Sequence, residues 1–456
     1  MMEYTIKELK KWNEKIEKII NEKGLNCYPQ EFEVCNYEDM ICYEAYVGMP
    51  SHYPHWSFGK AYEKKKTLYS YNLEGLPYEM VINSDPCIAY LMKENTLLLQ
   101  ILTIAHVYGH NDFFKNNRLF KEGTNAKRTV EKFKNHGDRI REYIKDPTIG
   151  YERVERVLNA AHGIRYQINR VIGSKEMSNE DIKKMLIDKY NKKIKKAESK
   201  EEREKIKYPN LNKIPLEPSE DIMEFLIKYS NLEDWEKDIL DIVREETKYF
   251  IPQIETKIMN EGWASFWHYK ILNELNLPQE LHLEFLNRHN QVIKPFMGGI
   301  NPYYIGFKIF ENIEKIYGSK KIFEVRQLER DQSFIRKYLT EELCMEMNLF
   351  EYSKKGSNYL IEEISDKEGW KKIRNTLANS VGMGAIPIIK VTEVKNNTRT
   401  LILEHVYDGR ELELTYAYET LKYICILWGG KIELKTKIDE EEKILVCSED
   451  KKIVIK

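Results

Sequence analysis

Apolar residues recur every three to four positions over residues 4–23, where Leu9, Trp12, Ile16, Ile19 and Ile20 share one face among charged neighbours. This spacing predicts an amphipathic helix that Gly24 stops. From Tyr90 to Tyr108 runs the most apolar continuous segment, and Leu97, Leu98, Leu99, Ile101, Leu102, Ile104 and Ala105 predict a helix buried nearly all round. His106 and His110 stand at its end. Helical periodicity continues through 125–172, 220–249, 254–275, 279–288, 303–316 and 333–348, whereas Pro50 and Pro54 keep the aromatic stretch 42–71 from forming one regular helix. Residues 174–207 are nearly all charge and read as a solvated helical excursion or a flexible insertion. Residues 386–406 and 430–456 instead alternate β-branched and polar residues at period two around a helical run at 415–427, which predicts a small ββαββ-like module. Gly382 to Ala385 is the natural hinge. The expected fold is mainly α: a large helical domain over 1–382, carrying the 174–207 insertion, and a small α+β module over 383–456.

Composition narrows the function classes. Of 456 residues, 42% are hydrophobic and 32% charged, enough for a packed core under a charged coat. The formal net charge of -1 gives no global field to draw in nucleic acid, and the lysines of 174–207 are interleaved with glutamates and lack stacking aromatics, so no nucleic-acid partner is expected. Seven cysteines without a CxxC pair argue against a disulfide framework and fit a reducing compartment. The first twenty residues lack a signal-peptide apolar core, and no run approaches the roughly 18 apolar residues of a membrane span. A cytoplasmic protein is expected.

The chemistry gathers on histidines. His106 and His110 at i and i+4 lie one above the other on a helix face, which lets both imidazoles reach one metal, as in HExxH zinc sites, or pack together as core residues. The glutamate that follows the first histidine in HExxH and acts as general base is replaced by Val107. Glu261 sits in an aromatic helix, Asn260-Glu261-Gly262-Trp263-Ala264, where a buried carboxylate needs a partner or a cation. A glutamate from a second helix completing a His-x-x-x-His pair gives a zincin-like core with His106, His110 and Glu261 as zinc ligands; the alternative is a solvent-facing Glu261 with Trp263 and Trp267 as the buried stripe. Proton transfer would then fall to His55 in the loop His52-Tyr53-Pro54-His55-Trp56, to His162, or to His268 at i+7 from Glu261. Asn111 and Asp112 after His110 suit hydrogen bonds that orient metal-bound histidines from behind, or a plain helix cap. Tyr303, Tyr304, Phe307 and Phe310 form an aromatic stripe that reads as core. No Walker A, GxGxxG or GxSxG motif is present.

Long blocks in order, YPHWSFGK (53–60), INSDPCIAYLMKENT (82–96), YGHNDFFKNN (108–117), IMNEGWASFWHYKILNE (258–274) and GGINPYYIGFKIFENI (298–313), resemble the stage V sporulation protein R (SpoVR) family. The resemblance covers nearly the whole chain, the β module resembling the family's smaller C-terminal domain. It implies a bacterial cytoplasmic protein that contributes to the peptidoglycan cortex of the spore. It also implies PrkA-like serine kinase system proteins as partners and brings no settled reaction. A metal-dependent hydrolase acting on a peptide or peptidoglycan-precursor amide and a non-catalytic scaffold are the two readings it leaves open.

Overall fold

The computed structural model of the chain describes residues 4–71, 79–173, 177–295, 299–355, 358–395 and 397–456. Residues 174–176 of the charged stretch and Gly298 of the GGINPYY block lie outside the described residues. Thr5 and Glu8 form a capping box at the start of α1 (Ile6–Lys23), and Gly24, left-handed at φ 80°, ends it. Then come β1 (Gln30–Cys35), α2 (Tyr37–Ala45), α3 (Trp56–Ser70), β2 (Glu79–Ile82), β3 (Cys87–Met92), α4 (Leu97–Asn116), α5 (Arg118–Gly123), α6 (Thr129–Lys145) and α7 (Gly150–Ile164). The charged stretch forms α8 (Asn179–Lys196) and α9 (Lys200–Lys205), started by Ser178 and Ser199 as N-caps. Helices dominate again: α10 (Ile222–Tyr229), α11 (Asp234–Glu255), α12 (Lys257–Glu274), α13 (Gln279–Val292), α14 (Pro302–Tyr317), α15 (Ser319–Leu328), α16 (Asp331–Tyr338) and α17 (Glu341–Glu346). A hairpin, β4 (Phe350–Lys355) and β5 (Asn358–Ile364), leads to α18 (Gly369–Ser380). The chain closes with β6 (Ile389–Lys395), β7 (Thr400–His405), α19 (Leu414–Trp428), β8 (Ile432–Ile438), β9 (Glu441–Cys447) and β10 (Ile453–Ile455). The protein is thus mainly helical with a small β-containing C-terminal region.

These elements pack as two compact units. The first joins Met1–Arg141 to Lys248–Ala385, the second Glu142–Thr247 to Ile386–Lys456. In the second unit the sheet order is β10-β9-β8-β7-β6, with β7 and β8 parallel across the α19 crossover and every other pair antiparallel. Ser219 extends that sheet by a bridge to Val391, and Arg170 donates to the carbonyls of Ile386 and Pro387. The charged helices α8 and α9 therefore share a unit with the C-terminal sheet.

In the first unit one core cluster runs through α1, α4, α12, α14, α15 and α16, with Trp263, Phe113, Phe310 and Phe334 fully buried. A three-stranded sheet, order β1-β3-β2, flanks α4; β1 and β3 are parallel and β2 antiparallel to β3. Helical periodicity gave no sign of this sheet. Tyr90 to Met92 belong to β3, not to the buried helix, because the turn at Lys93–Asn95 breaks the apolar run and Thr96 caps α4 at Leu97. A short apolar strand running into a buried helix leaves no change of period to read. Among the described residues no helix is long and apolar enough to cross a membrane.

The N-terminus of α12 is capped from outside. Asp331, at the start of α16, accepts the backbone N–H of Ile258 at 2.8 Å and of Met259 at 2.9 Å. Replacing Asp331 by alanine strands two buried donors, and urea unfolding should show a loss of about 2–4 kcal/mol. Burial pushes this carboxyl up to about 8, against the two N–H donors that favour its charged form. A folded value above the unfolded one means that its contribution is complete below about pH 4 and is lost as pH rises through 8. The Asp331→Asn variant, which cannot ionise, should show a flatter stability profile across that window.

Candidate metal centre

Small residues bring three helices together at the site. A Cβ on Gly262 of α12 would lie 2.3 Å from the Gly306 Cα of α14, and one on Gly306 would lie 2.2 Å from the carbonyl oxygen of Ile258. On the other side, a Cβ on Gly109 of α4 would lie 2.6 Å from the Ala264 Cα. Helix α12 is thus clamped between α4 and α14 at backbone contact, and the Gly and Ala of the EGWA run supply the missing bulk. Trp263 and Trp267 turn the other way into the core, where the Trp263 indole N–H donates to Asp112 Oδ2 at 2.9 Å.

This clamp sets the ionisable groups face to face. His110 Nε2 lies 3.6 Å from Glu261 Oε2, and His106 Nε2 lies 3.9 Å from the same oxygen. From the sheet, Glu79 at the first position of β2 places Oε1 3.9 Å from His106 Nε2. One ligand atom each from Glu79, His106 and His110 falls within 4.8 Å of the others. The remaining ring nitrogens are held from behind: His110 Nδ1 is 2.9 Å from Asn260 Oδ1, and His106 Nδ1 is 2.9 Å from His268 Nδ1. His268 Nε2 in turn lies 2.8 Å from Nδ1 of His289 on α13. The Tyr303 ring of α14 stands 6.1 Å from that of His106.

Burial, reinforced by the neighbouring His106, pushes His110 down to about 4. Burial also drives His268 well down and His289 to about 4, so these rings are neutral at pH 7 and keep a lone pair. Burial raises Glu79, with the Glu261 charge adding to it and His106 opposing it. For Glu261 burial works upward too, but His106, His110 and Lys257 outweigh it and hold the carboxyl low. Neutral imidazoles beside carboxylates are the donor set of zinc and related divalent ions. Ligands about 2.1 Å from a tetrahedral ion stand about 3.4 Å apart. The 3.6 and 3.9 Å separations here are close to that, so the residues fit a metal.

The other residues singled out by the sequence fall in different places. His55 is the N-cap of α3, its Nδ1 2.6 Å from Ser57 Oγ. His162 lies on α7, in the second unit. Asn111 and Asp112 bond away from the histidines: Asn111 Oδ1 accepts from the Tyr28 N–H at 2.7 Å, Asp112 Oδ1 from that of Asn26 at 2.7 Å. One and two residues past His110, their side chains point 100–200° around the helix from it. They pin α4 to the segment before β1, and the contacts expected of them are made by Asn260 and His268. Phe307 and Phe310 are buried as the aromatic stripe suggests. Glu79 and His289 carry no sequence signal: one opens a four-residue strand, the other sits in an ordinary amphipathic helix.

Comparison with known proteins places these residues in a family. Residues 3–386 match the model of the family described as SpoVR like protein, and residues 387–439 match the SpoVR-like C-terminal domain. The chain is 34% identical over 470 residues to the uncharacterized protein YcgB of Escherichia coli (strain K12), covering 93% of this chain and 91% of that one. No solved structure matches.

Proposed function

Since the chain belongs to the SpoVR family, we propose that it is a sporulation-linked protein built around a zincin-like, metal-dependent hydrolase centre. His106, His110 and Glu261 are its metal ligands and zinc is the fitting ion. The observation that carries this reading is the convergence of two imidazoles and two carboxylates from α4, α12 and β2 on one point. A divalent cation bound there supplies Lewis acidity toward a water or an amide carbonyl. Glu79 is the proton acceptor, standing beside His106 in the role that Val107 leaves empty and for which the sequence offered His55, His162 and His268. The substrate class is a peptide or peptidoglycan-precursor amide, in keeping with a part in building the spore cortex, in the cytoplasm and alongside a PrkA-like serine kinase system.

The test is complementation of a sporulating strain that lacks the gene. Glu261→Gln and Glu79→Gln should both accumulate as folded protein and yield spores with a defective cortex, with Glu79→Gln still binding metal. Normal spores from a stable Glu261→Gln variant would overturn the hydrolase reading in favour of a non-catalytic scaffold.

A further inference from the structure

Three buried histidines form a continuous hydrogen-bonded file: His106 Nδ1 to His268 Nδ1 at 2.9 Å, then His268 Nε2 to His289 Nδ1 at 2.8 Å. Both ring nitrogens of His268, which is fully buried, are used within the file. The outer ring, His289, is wedged among the rings of Tyr269, Phe285 and Phe307 and has little freedom to turn.

With one N–H and one lone pair on each ring, three imidazoles in such a file have only two consistent arrangements. In the first, His106 donates from Nδ1 to His268, which donates from Nε2 to His289. Nε2 of His106 then carries its lone pair toward Glu261 and Glu79. In the second, every proton is shifted: His289 donates to His268, His268 donates to His106, and His106 Nε2 is protonated and useless as a ligand. In the second arrangement no carboxylate stands at hydrogen-bond distance from the proton on His106 Nε2, since both are 3.9 Å away.

Resting on the metal-centre reading, we propose that His268 and His289 are positioning residues that fix His106 as its Nδ1–H tautomer and so present Nε2 to a metal. Neither ring touches the ion. The orienting group that a metal-bound histidine ordinarily finds in one carboxylate or carbonyl is here a two-ring arm reaching to α13. A binding-competent His106 thus depends on a residue on a third helix.

The experiment reads tautomers and affinity separately. In metal-free wild-type protein labelled with ¹⁵N-histidine, two-bond ¹H–¹⁵N correlations should assign the proton of His106 to Nδ1. His289→Leu removes the acceptor for His268; the expected result is a mixture of His106 tautomers and a Co²⁺ affinity lower by about 10–100-fold. His289→Gln, whose carbonyl oxygen can accept from His268 Nε2, should restore both, which a merely structural role would not predict. The proposal is overturned if wild-type His106 carries its proton on Nε2, or if folded His289→Leu keeps the Nδ1–H form and binds Co²⁺ as the wild type does. Wild-type protein that takes up no Co²⁺ sinks the metal reading, while the tautomer measurement still decides the positioning role. If His289→Leu does not fold, the wild-type assignment together with His268→Gln decides it.

Discussion

Replacing Gly262 by leucine should lower the stability of the protein by about 3 kcal/mol or more, a fall in melting temperature of roughly 3–5 °C or more for a chain of this size. The position has no space: even a single carbon there would stand 2.3 Å from the Gly306 Cα, and neither helix backbone can yield without moving the other. The damage extends to function, because α12 carries Glu261 and His268 on the face that meets His106 and His110. Gly109→Ala acts on the opposite side of the same clamp, pushing α4 away from Ala264, and should weaken metal binding more than its effect on folding alone would suggest. Gly59 on α3 provides the control. No atom lies within 4 Å of a Cβ built there, so Gly59→Ala should stabilise the helix by about 0.5–1 kcal/mol. Differential scanning calorimetry of the three variants checks opposite signs from one type of change. A Gly262→Leu protein as stable as the wild type would show that the helices are not in backbone contact.

The largest effect on binding is expected from His110→Ala. His110 Nε2 lies 3.6 Å from Glu261 Oε2, and its other nitrogen is held by Asn260, so its removal takes away an oriented donor. Titration with Co²⁺, followed by its visible absorption, should show affinity reduced by at least about 100-fold, beyond the 10–100-fold that loss of an outer partner brings. Asn260→Ala should fall within that lower range. Equal Co²⁺ affinity in wild type and His110→Ala would remove His110 from the ligand set.

Much of this arrangement was legible in the residues, for identifiable reasons. The i, i+4 spacing of His106 and His110 fixes their common face on any helix, and an acid among buried aromatics had to find a partner, which makes Glu261 conspicuous. Period-two alternation after residue 386 is also robust, and the sheet there gains β10 beyond the four strands anticipated. Other features depend on tertiary contacts that leave no local trace. Glu79 reaches His106 only through its place at the start of β2, a strand too short to show a period. His289 matters only because α13 brings it to His268. The merging of β3 with α4 hid the turn at Lys93–Asn95, although Thr96 is a sound N-cap signal in hindsight. The close helix contacts could be suspected from Gly109, Gly262 and Gly306, but which glycine meets which residue is set by the packing.

The central claim, that α4 and α12 together hold one metal ion, is tested most directly by elemental analysis of protein purified without an affinity tag. About one equivalent of zinc or a related divalent metal per chain is expected, falling to near zero in folded His106→Ala protein. Wild-type protein with no stoichiometric metal, or the same metal content in His106→Ala, would contradict it.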